Sequence, residues 1–182
     1  MEVAEQIITT NTSNIKVLKR DGRLETLDID KIHFVVEEAC EGLSGVSSSQ
    51  IEINANIQFY DGITTKDIQH VLVKSANDLI TLENPNYQYA AARLLSYDVR
   101  KEAHGQYEYI PLLKLILRNI KLGVYDRTII EKYHKSEIKK FNTWIKRDRD
   151  LEFTYAGLRQ VVDKYLVQDR SSGEIYETSQ DM

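Results

Sequence analysis

Lys19 and Arg20 stand immediately before Asp21-Gly22 in the run IKVLKRDGRLETLDIDK, which extends from Ile15 to Lys31. A lysine ammonium and an arginine guanidinium at a tight turn suit phosphate, one as a mobile point charge and the other as a planar fork. Asp-Gly between two strand-like segments is the strongest short-range hairpin signal, and it predicts positive φ at the central residues of the turn. The same run enters a helix near Lys31, capped by Asp28 or Asp30, whose exposed amides and dipole favour an anion nearby. Hairpin and helix end could share one ligand, and that ligand would be a nucleoside triphosphate. A solvated turn with ordinary surface charges would carry the same residues, so the pattern gains weight only from what lies further along.

Two further pairs share helix faces. Thr65 and Gln69 are four residues apart, as are Tyr97 and Lys101, and that spacing puts each pair on one side of a helix. A hydroxyl, an amide, an aromatic ring and an ammonium are groups that hold a ribose, a base and phosphates. Neither G-x-x-x-x-G-K-[ST] nor G-x-G-x-x-G occurs, so the two common phosphate-loop solutions do not apply. No catalytic grouping stands out. His33, His70, His104 and His134 fall on separate segments without metal-ligand spacing, and the carboxylates are too evenly strewn to mark an acid-base pair. The single cysteine, Cys40, excludes disulfides within the chain and cysteine-built zinc sites. It shares a helical face with Ile32, Val36, Ala39 and Leu43, which predicts a buried structural role.

The elements that must position these groups follow from caps and periodicity. After the hairpin, a helix is expected over residues 30–43, closed near Gly42 and Gly45. Ser47 with Gln50 forms a capping box for a second helix over residues 48–60, stopped by Asp61-Gly62. Thr64 with Asp67 starts a third, carrying Ile68, Val71, Leu72, Ser75 and Leu79 to about Thr81. Asn84-Pro85 opens a fourth that reaches Ala103 before Gly105. Further helices are expected over residues 111–122, 127–133, 136–145 and 154–164, and a hairpin over 165–177 turning at Ser171-Ser172-Gly173. Leu112, Leu113, Leu115, Ile116 and Leu117 are too apolar for one face of an isolated domain, and suggest packing against structure outside the chain.

A hydrophobic content of 42% with 29% charged residues is that of a soluble globular protein. A formal net charge of −4 and a pI near 5.6 leave no overall positive field for a phosphodiester backbone, so nucleic acid is not expected as a partner. The basic run Lys139, Lys140, Lys146, Arg147 and Arg149 around Trp144 is interrupted by Asp148, Asp150 and Glu152, and reads as a solvated helix face. No window approaches the roughly eighteen apolar residues of a membrane span. The start, MEVAEQIITTNTSN, is acidic and polar where a secretory signal would be basic and then apolar. Residues 1–14 are expected as a flexible tail on a cytoplasmic protein that does not contact the membrane.

VLKRDGRLETLDIDKIH, NIQFYDGITTKDI, NPNYQYAAARLL and RKEAHGQYE, in that order, resemble the N-terminal ATP-cone of the class I ribonucleotide reductase large, or alpha, subunit. GVYD, KRDRDLEFTYAGL and KYLVQDRSSGEIYETSQ are similar to the segment leading from that cone into the catalytic ten-stranded barrel. The resemblance implies an α+β, mainly α chain. The cone, a β-hairpin plus a four-helix bundle, would occupy residues 15–105, and a helical segment ending before the barrel would occupy 106–182. In that family the cone is an allosteric site where ATP switches the enzyme on and dATP switches it off, with Mg2+ accompanying the nucleotide. Carried over, the nucleotide contacts are Val17, Lys19, Arg20, Glu25, Lys31, Thr65 and Lys101, with Asp28 and Tyr97 where the family pattern varies. Where many members carry histidine, this chain has Gln69, which keeps hydrogen bonding but cannot become cationic and so puts strong dATP inhibition in doubt.

The family's reduction of the ribose 2′ carbon uses a cysteine radical, generated by a partner small subunit, and a reducing cysteine pair. Those cysteines lie in the barrel, beyond residue 182, and Cys40 matches none of them. The resemblance therefore implies an oxidoreductase component that is inactive by itself. Its partners would be the remaining catalytic part of the large subunit and the radical-generating small subunit, in an oligomer. Asp181-Met182 departs from the family pattern, which fits a cut at this point or a large subunit naturally divided into two chains, the divided subunit being the reading taken. A stand-alone ATP-cone sensor would pair the cone with a zinc ribbon that one cysteine cannot build. A non-catalytic helical interaction module is the remaining alternative.

Overall fold

The computed structural model describes residues 15–182, and the expected tail, residues 1–14, lies outside them. These residues divide into two compact units, one running through Leu95 and the other from Ser96 to Met182. Among the described residues there are three short strands and eight α-helices.

The first unit is built on the hairpin. Strands β1 (Lys16–Leu18) and β2 (Leu24–Thr26) pair antiparallel, with Val17 opposite Glu25. Lys19 N–H donates to the Arg23 carbonyl at 2.8 Å, and Gly22 N–H donates to the Lys19 carbonyl at 3.0 Å. Within the turn only Gly22, at φ 84°, has positive φ, and among the described residues every positive-φ position is a glycine. The expected turn with positive φ at both central residues is therefore corrected to a three-residue loop in which one glycine absorbs the left-handed position.

Helix α1 (Ile29–Cys40) begins at the Asp28 cap, whose carboxylate accepts from Lys31 N–H at 3.2 Å. Helix α2 (Ser48–Asn56) starts at Ser47 and stops earlier than periodicity suggested. The return half of its capping box is relayed: Tyr87 Oη accepts from Ser47 N–H at 3.0 Å and donates to Gln50 Oε1 at 2.7 Å. Between α2 and the next helix lies β3 (Ile63–Thr64), which pairs parallel with β1 in the order β2-β1-β3. This strand was not foreseen, because two residues are too short to show alternation. Helix α3 (Thr65–Asp78) begins at Thr64, which accepts from Asp67 N–H at 3.0 Å and donates to its carboxylate at 2.7 Å. Helix α4 (Tyr87–His104) runs from the first unit into the second and begins two residues beyond Pro85. Ala90, Ala91, Ala92 and Leu94 on it are fully buried. Arg93 donates to the carbonyls of Ala39 and Glu41, closing the C-terminus of α1 with a cation. Val17, Ile51, Ile63 and Leu72 form the centre of the core, each contributing about 1.5–3 kcal/mol by burial.

The second unit holds the rest of α4, then α5 (Leu112–Lys121), α6 (Thr128–Lys132), α7 (Lys135–Asn142), a 3-10 helix (Arg147–Glu152) and α8 (Tyr155–Lys164). The expected hairpin near the end reduces to a single antiparallel bridge, Gln168 with Ile175. Of the apolar run on α5, Leu115 and Ile116 are buried, whereas Leu112, Leu113 and Leu117 line a groove of about 340 Å³ with Lys114 and Lys139 at its edge.

A polar network ties this unit together. His104 Nδ1 accepts from Ile110 N–H at 3.0 Å, so the proton sits on Nε2, which donates to Asp181 Oδ2 at 2.8 Å. Asp181 also accepts from Arg147 at 2.9 Å and from the Thr178 hydroxyl at 2.7 Å, and its side chain is fully shielded from solvent. Buried Asp150 accepts from Tyr109 at 2.9 Å and from Ser179 at 2.7 Å. Buried Glu177 accepts from Tyr125 and from Val167 N–H. Burial opposes ionisation of Asp181, but the bonds from His104 and Thr178 and the Arg147 charge outweigh it, holding the carboxyl well below the usual range.

A carboxyl depressed in the folded state stabilises that state fully above its unfolded pKa, about 4, and the contribution is lost as pH falls below that value. The thermal midpoint of the chain is therefore expected to fall below about pH 4. Asp181→Ala is expected to cost about 3–5 kcal/mol at neutral pH by leaving Arg147 without its counter-ion and the His104 Nε2–H without its acceptor. Equal unfolding midpoints for variant and wild type would show that the network is not a source of stability.

Candidate nucleotide site

Strand alternation decides which hairpin residues can act together. Val17 and Lys19 lie two apart on one side of β1, and Glu25, paired with Val17, shares that face. Leu18 and Leu24 take the opposite face, where Leu24 is 62% exposed. Val17 is buried. The parallel register pairs Leu18 with Thr64, so the next residue of each chain segment, Lys19 and Thr65, stands at the same end of the sheet. The N-terminus of α3 is thereby brought beside the hairpin turn, a juxtaposition that rests on β3. Asp61 fixes it from the other side, its carboxylate accepting from Lys16 N–H at 2.7 Å.

The cations on this surface have carboxylate partners. Lys19 Nζ lies 3.2 Å from Glu25, and Arg23 bridges Asp21 at 2.8 Å and Glu25 at 3.2 Å. Lys31 Nζ lies 2.8 Å from Asp28. The hydrogen bond from Lys31 lowers the Asp28 pKa, and the same bond raises that of Lys31. Asp28, not Asp30, is the cap of α1, and its negative charge already occupies the helix end that was expected to attract phosphate. Because β1 and β2 are antiparallel, the start of α1 follows the end of β2 farthest from the turn. The helix end and the turn therefore stand at opposite ends of β2, with Glu25 between them.

Gln69 follows Thr65 on the same face of α3 and donates through Nε2 to the Leu94 carbonyl of α4 at 2.8 Å. Tyr97 and Lys101 belong to the second unit. Lys101 is exposed, while Tyr97 is buried, with its ring centroid 5.5 Å from that of Tyr107 and the Arg100 guanidinium 5.1 Å away. Arg100 also lies 4.5 Å from the rings of both Tyr107 and Tyr109. The weight of Arg100 was missed from sequence, although its i+3 spacing from Tyr97 was a usable signal.

Cys40 is half-buried at the edge of the core face instead of inside it. Burial pushes its thiol up to about 11. At pH 8 its thiolate fraction is expected to be about a hundredfold below that of a free cysteine. Alkylation by iodoacetamide is expected to be correspondingly slow in the folded chain, and labelling at the rate of free cysteine would contradict this burial.

Residues 15–102 match the ATP cone domain, which defines the chain as a cone protein with a helical continuation. The chain is 47% identical over 167 residues to ribonucleoside-diphosphate reductase 1 subunit alpha of Escherichia coli (strain K12). It is 44% identical over 167 residues to the alpha subunit of Buchnera aphidicola (subsp. Acyrthosiphon pisum), and 42% identical over 168 residues to that of Enterobacteria phage T4. These alignments cover 91–92% of this chain but 22% of each relative, so the chain spans about a fifth of the length of the curated relatives it matches. The chain thus combines an ATP cone with 42–47% identity to the N-terminal region of class I ribonucleoside-diphosphate reductase alpha subunits.

Proposed function

We propose that this chain is a regulatory portion of a ribonucleotide reductase large subunit, whose cone, residues 15–105, binds ATP or dATP as an allosteric effector. The observation that carries the reading is that the cone match over residues 15–102 coincides with a sheet face bearing Val17, Lys19 and Glu25 next to the start of α3. Lys19, Arg20, Lys31 and Lys101 supply the positive charge a triphosphate requires. Thr65 offers a hydroxyl, Val17 an apolar contact, and Glu25 and Asp28 acceptors for ribose or base N–H and O–H groups. Tyr97 and Gln69 support the same site from α4 and α3. Mg2+ enters with the nucleotide, on its phosphate oxygens.

The chain's partners on this reading are the remaining catalytic part of the large subunit and the radical-generating small subunit, in a cytoplasmic oligomer without nucleic acid or membrane. Among the described residues no helix is long and apolar enough to cross a membrane. The groove beside Leu112, Leu113 and Leu117 supports an apolar contact with the remainder of the subunit. A single cysteine cannot supply both a radical thiol and a reducing pair, so the chain by itself reduces no ribonucleotide.

Calorimetric titration of the 182-residue chain is expected to show ATP and dATP binding in competition with each other. Lys101→Ala is expected to weaken both by about 1.5–3 kcal/mol, the usual loss for a charged hydrogen bond. Absence of binding at millimolar nucleotide would leave only a scaffolding role. An unchanged affinity in the variant would remove Lys101 from the site.

A further inference from the structure

We infer that Gln69 is a positioning residue for the effector site proposed above: it fixes α3 to α4 through a neutral, one-way hydrogen bond, and so sets affinity for ATP and dATP alike. The inference rests on that effector reading. Gln69 Nε2 donates to the Leu94 carbonyl at 2.8 Å. Leu94 is fully buried inside α4, where its carbonyl also serves the helix ladder by accepting from the N–H four residues on. The second lone pair of that oxygen can take one more donor and no acceptor. The amide of Gln69 is therefore oriented by chemistry, with nitrogen toward Leu94.

Thr65 lies one turn before Gln69 on the same face of α3, and Lys101 lies two turns beyond Leu94 on the same face of α4. One bond thus fixes the helix that presents Thr65 to the first-unit stretch of α4. It points at main chain, and its partner is a backbone carbonyl. It also carries no titrating group, so the tether holds equally on both sides of neutrality.

The test is calorimetry with ATP and with dATP on the full chain, below the unfolding midpoint of every variant. Gln69→Ala, and Gln69→Glu, which keeps the shape but presents an acceptor to the carbonyl, are expected to weaken both nucleotides by about fivefold, the equilibrium value of one neutral hydrogen bond. The ATP-to-dATP affinity ratio is expected to stay within about twofold. Gln69→His, which retains an N–H donor, is expected to recover most of the lost affinity. A ratio that moves by more than about fivefold would put position 69 against the nucleotide itself and overturn the inference. Unchanged affinity in both Gln69→Ala and Gln69→Glu would overturn it as well. A wild-type chain that binds neither nucleotide sinks the effector reading instead, and amide exchange then judges the tether: faster exchange across α4 in Gln69→Glu upholds it, and identical exchange removes it.

Discussion

β1 is three residues long and carries hydrogen-bonded partners on both edges. A two-stranded ribbon of this size is marginal alone in water, and a third strand with an apolar anchor is what gives such a sheet independent stability. Here the third strand is Ile63–Thr64 and the anchor is Val17 beside fully buried Ile63. The pairing is parallel, so β3 ends where the hairpin turns, and α3 must begin there. Lys19 and Thr65 are neighbours because of that one register. A one-residue slip would send Val17, Lys19 and Glu25 to the solvent face and bring Leu18 and Leu24 inward.

Local chemistry was legible and long-range chemistry was not. Ser47, Thr64 and Thr154 cap helices where caps were expected or one residue from it, since each side chain bonds an amide three residues ahead. The hairpin was legible at Asp21-Gly22, but its loop type was not, because Asp-Gly suits both the two-residue turn and the three-residue loop found. The relay of Tyr87 between Ser47 and Gln50 joins residues some forty positions apart, and nothing in the local pattern announces it. The same holds for His104 with Asp181, 77 positions apart. From sequence His104 was one of four scattered histidines, and Asp181 a residue where the family pattern had ended.

The two units solve burial differently. The first closes mainly on branched aliphatic residues and alanines, and Ser75, which accepts from Gln58, is its buried polar side chain among the described residues. The second buries the carboxylates of Asp98, Asp150, Glu177 and Asp181, and each of the last three has its own set of donors. A buried carboxylate is tolerated only when its lone pairs are met, and Tyr109, Ser179, Tyr125, Val167, His104 and Thr178 meet them. Such a network specifies one arrangement of loops that a uniformly apolar core would leave degenerate, because removal of any member leaves a charge or a donor unpaired.

The exposure of the ion pairs on the hairpin and α1 bears on what kind of binding they suit. The Lys19–Glu25 side chains are 30% and 40% exposed, and those of Lys31–Asp28 are 73% and 42% exposed. Pairs this open contribute little to stability, since water and salt compete with them. On the proposed effector reading, a triphosphate that takes over the two lysines forfeits little, and gains charge-assisted bonds about twice as strong as neutral ones. That balance, on the same reading, suits reversible binding, because the resting partners are weak and the incoming ligand is only moderately stronger. A deeply buried lysine pair would hold its ligand or its carboxylate too firmly to report on concentration.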